Sequence, residues 1–124
     1  MQTLALLIRK EVMIGMAQYL LVESKSPLEG GEHSFELAKQ LRELKHNVTL
    51  YLIQDAVFTA RKRFEAGEKL IAEAKAQNLA LLADEISLRQ RGITRDRLSD
   101  AVRVSKMDEL VDLLMEKSDK AIWH

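Results

Sequence analysis

The sequence predicts an α/β protein: a three-layer α/β/α sandwich around a five-stranded parallel sheet. Three observations carry this. Short apolar runs alternate with amphipathic helical periods from residue 17 onward. The runs are continuously apolar, as strands buried on both faces are. Each is separated from the next by about a dozen residues or more, the length that a parallel crossover needs.

The first strand is read at 17–23, AQYLLVE. SKSPLEGG follows, with the chain's one proline, Pro27, and two adjacent glycines, which make a loop. Residues 34–45 space Phe35, Leu37, Ala38, Leu41 and Leu44 as a helix does, with Ser34 as its N-cap. VTLYLI at 48–53 is β-branched and aromatic, hence a second strand. Asp55 then caps a helical stretch over 56–77 that breaks at Gly67 and ends at Asn78. LALLA at 79–83 is read as a third strand from its place in the alternation, although its composition leans helical. A short helix over 85–91 ends at Gly92, and Thr94 caps a further turn. AVRV at 101–104 is a weak fourth strand. Met107, Leu110, Val111, Leu114 and Met115 mark an amphipathic helix, and KAIWH at 120–124 is the fifth strand.

The 124 residues suffice for one domain, read here as 16–124. Residues 1–15 stand outside the pattern. One reading makes them an amphipathic helix on Leu4, Leu7, Ile8 and Val12, covering a sheet edge or a partner; the other starts translation at Met16. At 47% hydrophobic and 31% charged residues, the chain is too apolar for a disordered protein. Nineteen cations balance nineteen anions, which argues against broad nucleic-acid binding. There is no cysteine, so disulfides, thiolate metal sites and a thiol nucleophile from this chain are excluded. No apolar run nears the ~18 residues of a membrane span. Arg9, Lys10 and Glu11 interrupt the N-terminal run, which also lacks the basic start of a signal peptide. A cytoplasmic protein is expected.

Open parallel sheets bind ligands beyond the C-terminal ends of their strands. That rule selects Glu23, Ser24 and the loop to His33, then Gln54 and Asp55, then Asp84 and Glu85, then Ser105. Gly30 and Gly31 fit a structural turn better than an anion cradle, because no GxGxxG or GK[ST] pattern accompanies them. That also counts against a dinucleotide enzyme. His33 lacks a second histidine at ligand spacing; His46 reads as a solvated helix end, and His124 as a frayed end or a subunit contact. Asp84 and Glu85 read as cap and dipole partner before they read as an acid–base pair. Arg61, Lys62 and Arg63, and separately Arg89, Arg91, Arg95 and Arg97, read as solvated helix faces paired with local acids before they read as binders of phosphate or an acidic partner. No cofactor and no metal ligand set is expected.

In order and spacing, AQYLLVESKSPLEGGEHSFELAKQL, HNVTLYLIQDAV, LLADEISLRQRGI and SKMDELVDLLMEKSDKAIWH together resemble the DsrE/DsrF-like family over residues 16–124. The resemblance implies the same five-stranded parallel sheet, a trimer or hexamer, and a role in sulfur trafficking. In that family a persulfide sits on a cysteine eight residues before the glycine of an RG turn. Here that glycine is Gly92 and the matching residue is Asp84. A carboxylate holds no sulfane sulfur, and a relay needs a thiolate. Thiol-based sulfurtransferase activity is therefore not carried over, and the chain resembles a cysteine-less branch.

The first functional reading is a non-catalytic oligomeric binding or assembly subunit, alone or with a cysteine-bearing DsrE-like or sulfur-carrier partner. The alternative is a small enzyme or a ligand- or metal-binding protein. It would use an acidic pocket around Asp84, with Glu85, Asp55, Glu23 and His33 nearby. Nucleic-acid binding through the arginine clusters is the weakest reading.

Overall fold

The structure, a computed structural model, describes residues 16–124. The reading of residues 1–15 as a helix, or of Met16 as the start of translation, lies outside the described residues. Five strands form one sheet: β1 (Gln18–Glu23), β2 (Asn47–Leu52), β3 (Ala80–Asp84), β4 (Arg103–Ser105) and β5 (Lys120–Trp123). All pairings are parallel, and the spatial order is β4-β3-β2-β1-β5. The helices are α1 (Glu32–Glu43), α2 (Glu65–Ala76), α3 (Glu85–Gln90) and α4 (Met107–Asp112). A π segment, Leu113–Lys117, continues α4.

The strand order dictates the layers. From β1 to β4 the chain steps in one direction across the sheet, so right-handed crossovers place the intervening helices on one face. From β4 it returns past β1 to β5, which places α4 on the other face. The core divides accordingly. Leu21, Leu50, Leu52, Leu81 and Ala83 pack with Phe35, Ala38 and Leu41 of α1 and Ile71 and Ala74 of α2. Leu20, Val22, Tyr51 and Leu82 pack with Leu110 of α4. Alternate residues of the same strands serve opposite cores. This explains why the sequence shows continuous apolar runs.

Several local expectations are corrected. Strand ends shift by a residue in β1, β2 and β3, and the fourth strand is 103–105 rather than 101–104. The first helix begins at Glu32, so Ser34 lies inside it, buried, and its N-cap position is Gly31. The stretch 56–77 is not one helix. A 3₁₀ segment, Gln54–Ala60, is followed by an extended link, and α2 starts only at Glu65. The break therefore precedes Gly67. A Cβ there would lie 2.2 Å from the Thr59 carbonyl oxygen, so Gly67 is the point where α2 rests on the 3₁₀ segment. Asp55 makes no cap hydrogen bond, and neither does Thr94 at its N-cap position. Asn78 does end its helix as expected, in the left-handed region at φ 60°.

Candidate functional site

The C-terminal edge of the sheet carries three separate polar clusters. The first lies between β1 and β5, where the strand order reverses and a doubly wound sheet opens its crevice. Glu23 ends β1 and is completely buried. Its Oε1 accepts a short hydrogen bond from the Ser34 hydroxyl and lies 2.7 Å from Nδ1 of His124. Its Oε2 accepts the Lys25 N–H at 2.9 Å. The buried position of Ser34 in α1 thus serves the Glu23 carboxylate. Ser24 donates both its N–H, at 3.0 Å, and its hydroxyl, at 2.9 Å, to the His124 carbonyl. The His33 ring stands 6.2 Å from that of His124, edge to face.

His124 is therefore held rather than frayed. The adjacent glycine loop is a structural turn. Gly31 N–H donates to the Ser26 carbonyl at 2.9 Å, and a Cβ on Gly31 would sit 2.0 Å from the Lys25 carbonyl oxygen. That N–H is spent within the loop and is not offered to an anion.

The second cluster joins β2 to β3. Asp84 caps α3: its Oδ2 accepts the Ser87 N–H at 3.0 Å and the Ser87 hydroxyl at 2.7 Å. Ser87 Oγ in turn accepts the Gln54 N–H at 2.8 Å. Gln54 sits at φ 51°, a left-handed conformation for a residue with a side chain. Asp84 is 4% exposed, and among the described residues its Oδ1 has no hydrogen-bond partner. Glu85 does not pair with it. It lines a groove of about 280 Å³ with Leu88, Arg89 and Ile93. Asp55, exposed, pairs with Arg91 Nε at 3.0 Å, and Arg91 also donates to the Ser87 carbonyl at 3.2 Å.

The third cluster closes the β4 end. Ser105 Oγ accepts from the Tyr51 hydroxyl at 2.8 Å and donates to Glu109 Oε1 at 2.7 Å. Arg103 holds both Glu109 oxygens, at 3.0 and 2.5 Å. The hydrogen bond from Arg103, with that from Ser105, lowers the Glu109 carboxyl below its usual range. Burial raises the Tyr51 phenol above its own.

The candidates Glu23, Ser24, His33, Gln54, Asp55, Asp84, Glu85 and Ser105 thus share one edge but not one site. Sequence reasoning missed Ser34, Ser87, Tyr51 and Glu109. The signal for Ser87 was present: a serine three residues after an acidic helix start is a capping partner. Tyr51 carried no signal, since its phenol is hidden inside an apolar strand pattern. His46, expected to be solvated, accepts the Ala17 N–H on Nδ1 at 3.1 Å and packs against Tyr19. Among the described residues no three His, Asp or Glu side chains converge as metal ligands, and no helix is long and apolar enough to cross a membrane.

The fold has known counterparts. The ychN protein from E. coli superposes with a TM-score of 0.74 at 23% identity, over 86% of this chain and 99% of its own. A protein of unknown function from Methanobacterium thermoautotrophicum gives 0.69 at 17% identity, over 87% and 99%. Among curated proteins no sequence matches. The model of the DsrE/DsrF-like family matches residues 18–123, nearly the whole domain. By that match the chain belongs to the DsrE/DsrF-like family.

Proposed function

We propose that this chain is a non-catalytic assembly subunit within the sulfur-trafficking chemistry of its family, forming a homo-oligomer and carrying no sulfur itself. The absence of any cysteine removes the nucleophile of a persulfide relay. Asp84, at the matching position, is engaged as the cap of α3.

The observation that carries the reading is the apolar surface on the α4 side. Trp123 registers with Val22, whose side chain belongs to the α4-side core, so Trp123 faces that side too. It is 57% exposed. Met107, Val111 and Met115 follow one another at four-residue spacing along α4 and its π continuation, and all three are exposed, Met115 by 77%. Leu110 alone of α4 is buried in the core. Among the described residues, one short helix and its π continuation cover this face of the sheet. Exposed aromatic and methionine side chains of this kind mark interfaces. A second copy of the chain is the occupant proposed, as in the trimers or hexamers that the family resemblance implies.

Native mass spectrometry tests it. A multiple of the 14.1 kDa chain is expected, and a Trp123→Arg, Met115→Glu double variant should fall to monomer with an unchanged far-UV spectrum. A monomer at tens of micromolar would overturn the reading. A complex with a cysteine-bearing relative would replace the second copy as partner. The buried, unpartnered Oδ1 of Asp84 favours a second reading, a ligand site there. Extra mass on each subunit would identify it.

A further inference from the structure

The cationic run Arg61, Lys62 and Arg63 does not lie on a helix face. It forms the link between the 3₁₀ segment and α2. Lys62 N–H donates to the Arg97 carbonyl at 2.7 Å, and Ser99 N–H to the Ala60 carbonyl at 2.8 Å. Arg61 and Leu98 form an antiparallel bridge. The two segments are thus stapled backbone to backbone, which brings Arg97 beside the other three cations.

Two cavities share Arg61, Lys62 and Arg63 as lining. One, of about 590 Å³, is completed by Arg97 and Asp96, so four of its five lining residues are cationic. The other, of about 520 Å³, continues past Ile71, Ala72 and Ala101, with Glu68, Lys75 and Asp100 also in its wall. Both volumes lie within the ~300–1,000 Å³ range of small-molecule sites.

The cations make no close side-chain ion pair, although Glu68, Asp96 and Asp100 share their cavities. Among the described residues, no charged side-chain nitrogen of Arg61, Lys62, Arg63, Lys75 or Arg97 has a carboxylate oxygen within 4.0 Å. The nearby acids are engaged by uncharged donors. Asp96 accepts the Thr94 hydroxyl at 2.5 Å, and Glu68 accepts the Arg63 N–H at 2.9 Å. This corrects the expectation that the cluster is a helix face paired with local acids. The Arg61 guanidinium lies 5.4 Å from the centre of the Phe58 ring and 5.8 Å from that of Phe64, which limits its freedom. Arg63 holds φ at 70°, a left-handed conformation for a residue with a side chain. In a chain of zero net charge, this cluster concentrates positive charge at one place.

We propose that this cleft binds a phosphorylated small molecule with an apolar body, of the nucleoside-phosphate class. Its phosphates lie among Lys62, Arg63 and Arg97, and its body lies over Ile71, Ala72 and Ala101. Guanidinium groups match phosphate geometry, and the neighbouring apolar wall separates such a ligand from free phosphate.

Isothermal titration of the full chain with ADP, adenosine and inorganic phosphate at low salt tests this. ADP should bind, more weakly as salt rises, and adenosine and phosphate should each bind at least about tenfold more weakly. An Arg63→Ala, Arg97→Ala double variant should lose at least about tenfold in ADP affinity with an unaltered melting temperature. Should that variant fold poorly, Lys62→Gln supplies the same comparison. No heat with millimolar ADP, equal affinity in the folded variants, or binding of an RNA oligonucleotide alone would each overturn the proposal.

Discussion

Glu23 and His124 stand 101 residues apart in sequence and meet at 2.7 Å, the carboxylate at the end of β1 against the imidazole after β5. The carboxylate is wholly buried and the imidazole is partly exposed. The two partners are therefore unequal. Glu23 also receives Ser34 and Lys25, so its removal leaves a buried hydroxyl without its acceptor.

Glu23→Ala should accordingly cost more than His124→Ala. The first combines a lost buried acceptor with a cavity, about 3 kcal/mol. The second removes one of three partners at a half-open position, about 1 kcal/mol. Urea unfolding of both variants measures the difference. Equal costs would show that the imidazole, rather than the full set of donors, holds the carboxylate in place.

Gly67→Ala would ordinarily strengthen a helix by about 1 kcal/mol. Here the added methyl meets the Thr59 carbonyl oxygen at 2.2 Å, and backbone cannot step aside as a flexible side chain does. Net destabilisation of about 1–3 kcal/mol is expected, read as a lower melting temperature. A stabilised variant would mean that α2 and the 3₁₀ segment slide apart freely.

The Glu109 carboxyl is lowered chiefly by its hydrogen bond from Arg103. A depressed native pKa contributes stability above the unfolded value of about 4.3, and this is lost as pH falls through the native value. The pair is partly exposed, which keeps the contribution small, about 0.5–1 kcal/mol. Wild type should therefore melt above Glu109→Gln at pH 7, and the gap should close as pH falls below the unfolded value of about 4.3. A gap that persists at pH 3 would assign the loss to packing instead.

Much of the fold was legible because burial on two faces writes itself into strand composition. The runs at Leu20–Val22, Leu50–Leu52 and Leu81–Ala83 have no solvent side to break them. The Gly67 break was misread because a glycine inside a helical period signals either interruption or close approach, and only the position of Thr59 decides between them. The site was legible as an edge but not as clusters. Sequence places Glu23, Asp84 and Ser105 at strand ends, yet Ser34, Ser87 and Tyr51 reach them through side chains whose direction depends on the packed helices. His124 was undervalued for a related reason: its anchor on Glu23 arises only once β5 lies beside β1.

That last pairing also sets an order of events during synthesis. β1 pairs with β2 after a short crossover, but its other edge waits about a hundred residues for β5. Until Lys120–Trp123 has left the ribosome, β1 presents one open row of backbone donors and acceptors to its surroundings. Closing so long a loop is slow, and an open apolar edge recruits other chains. The Glu23–His124 contact ties that late pairing at the C-terminal edge of the sheet.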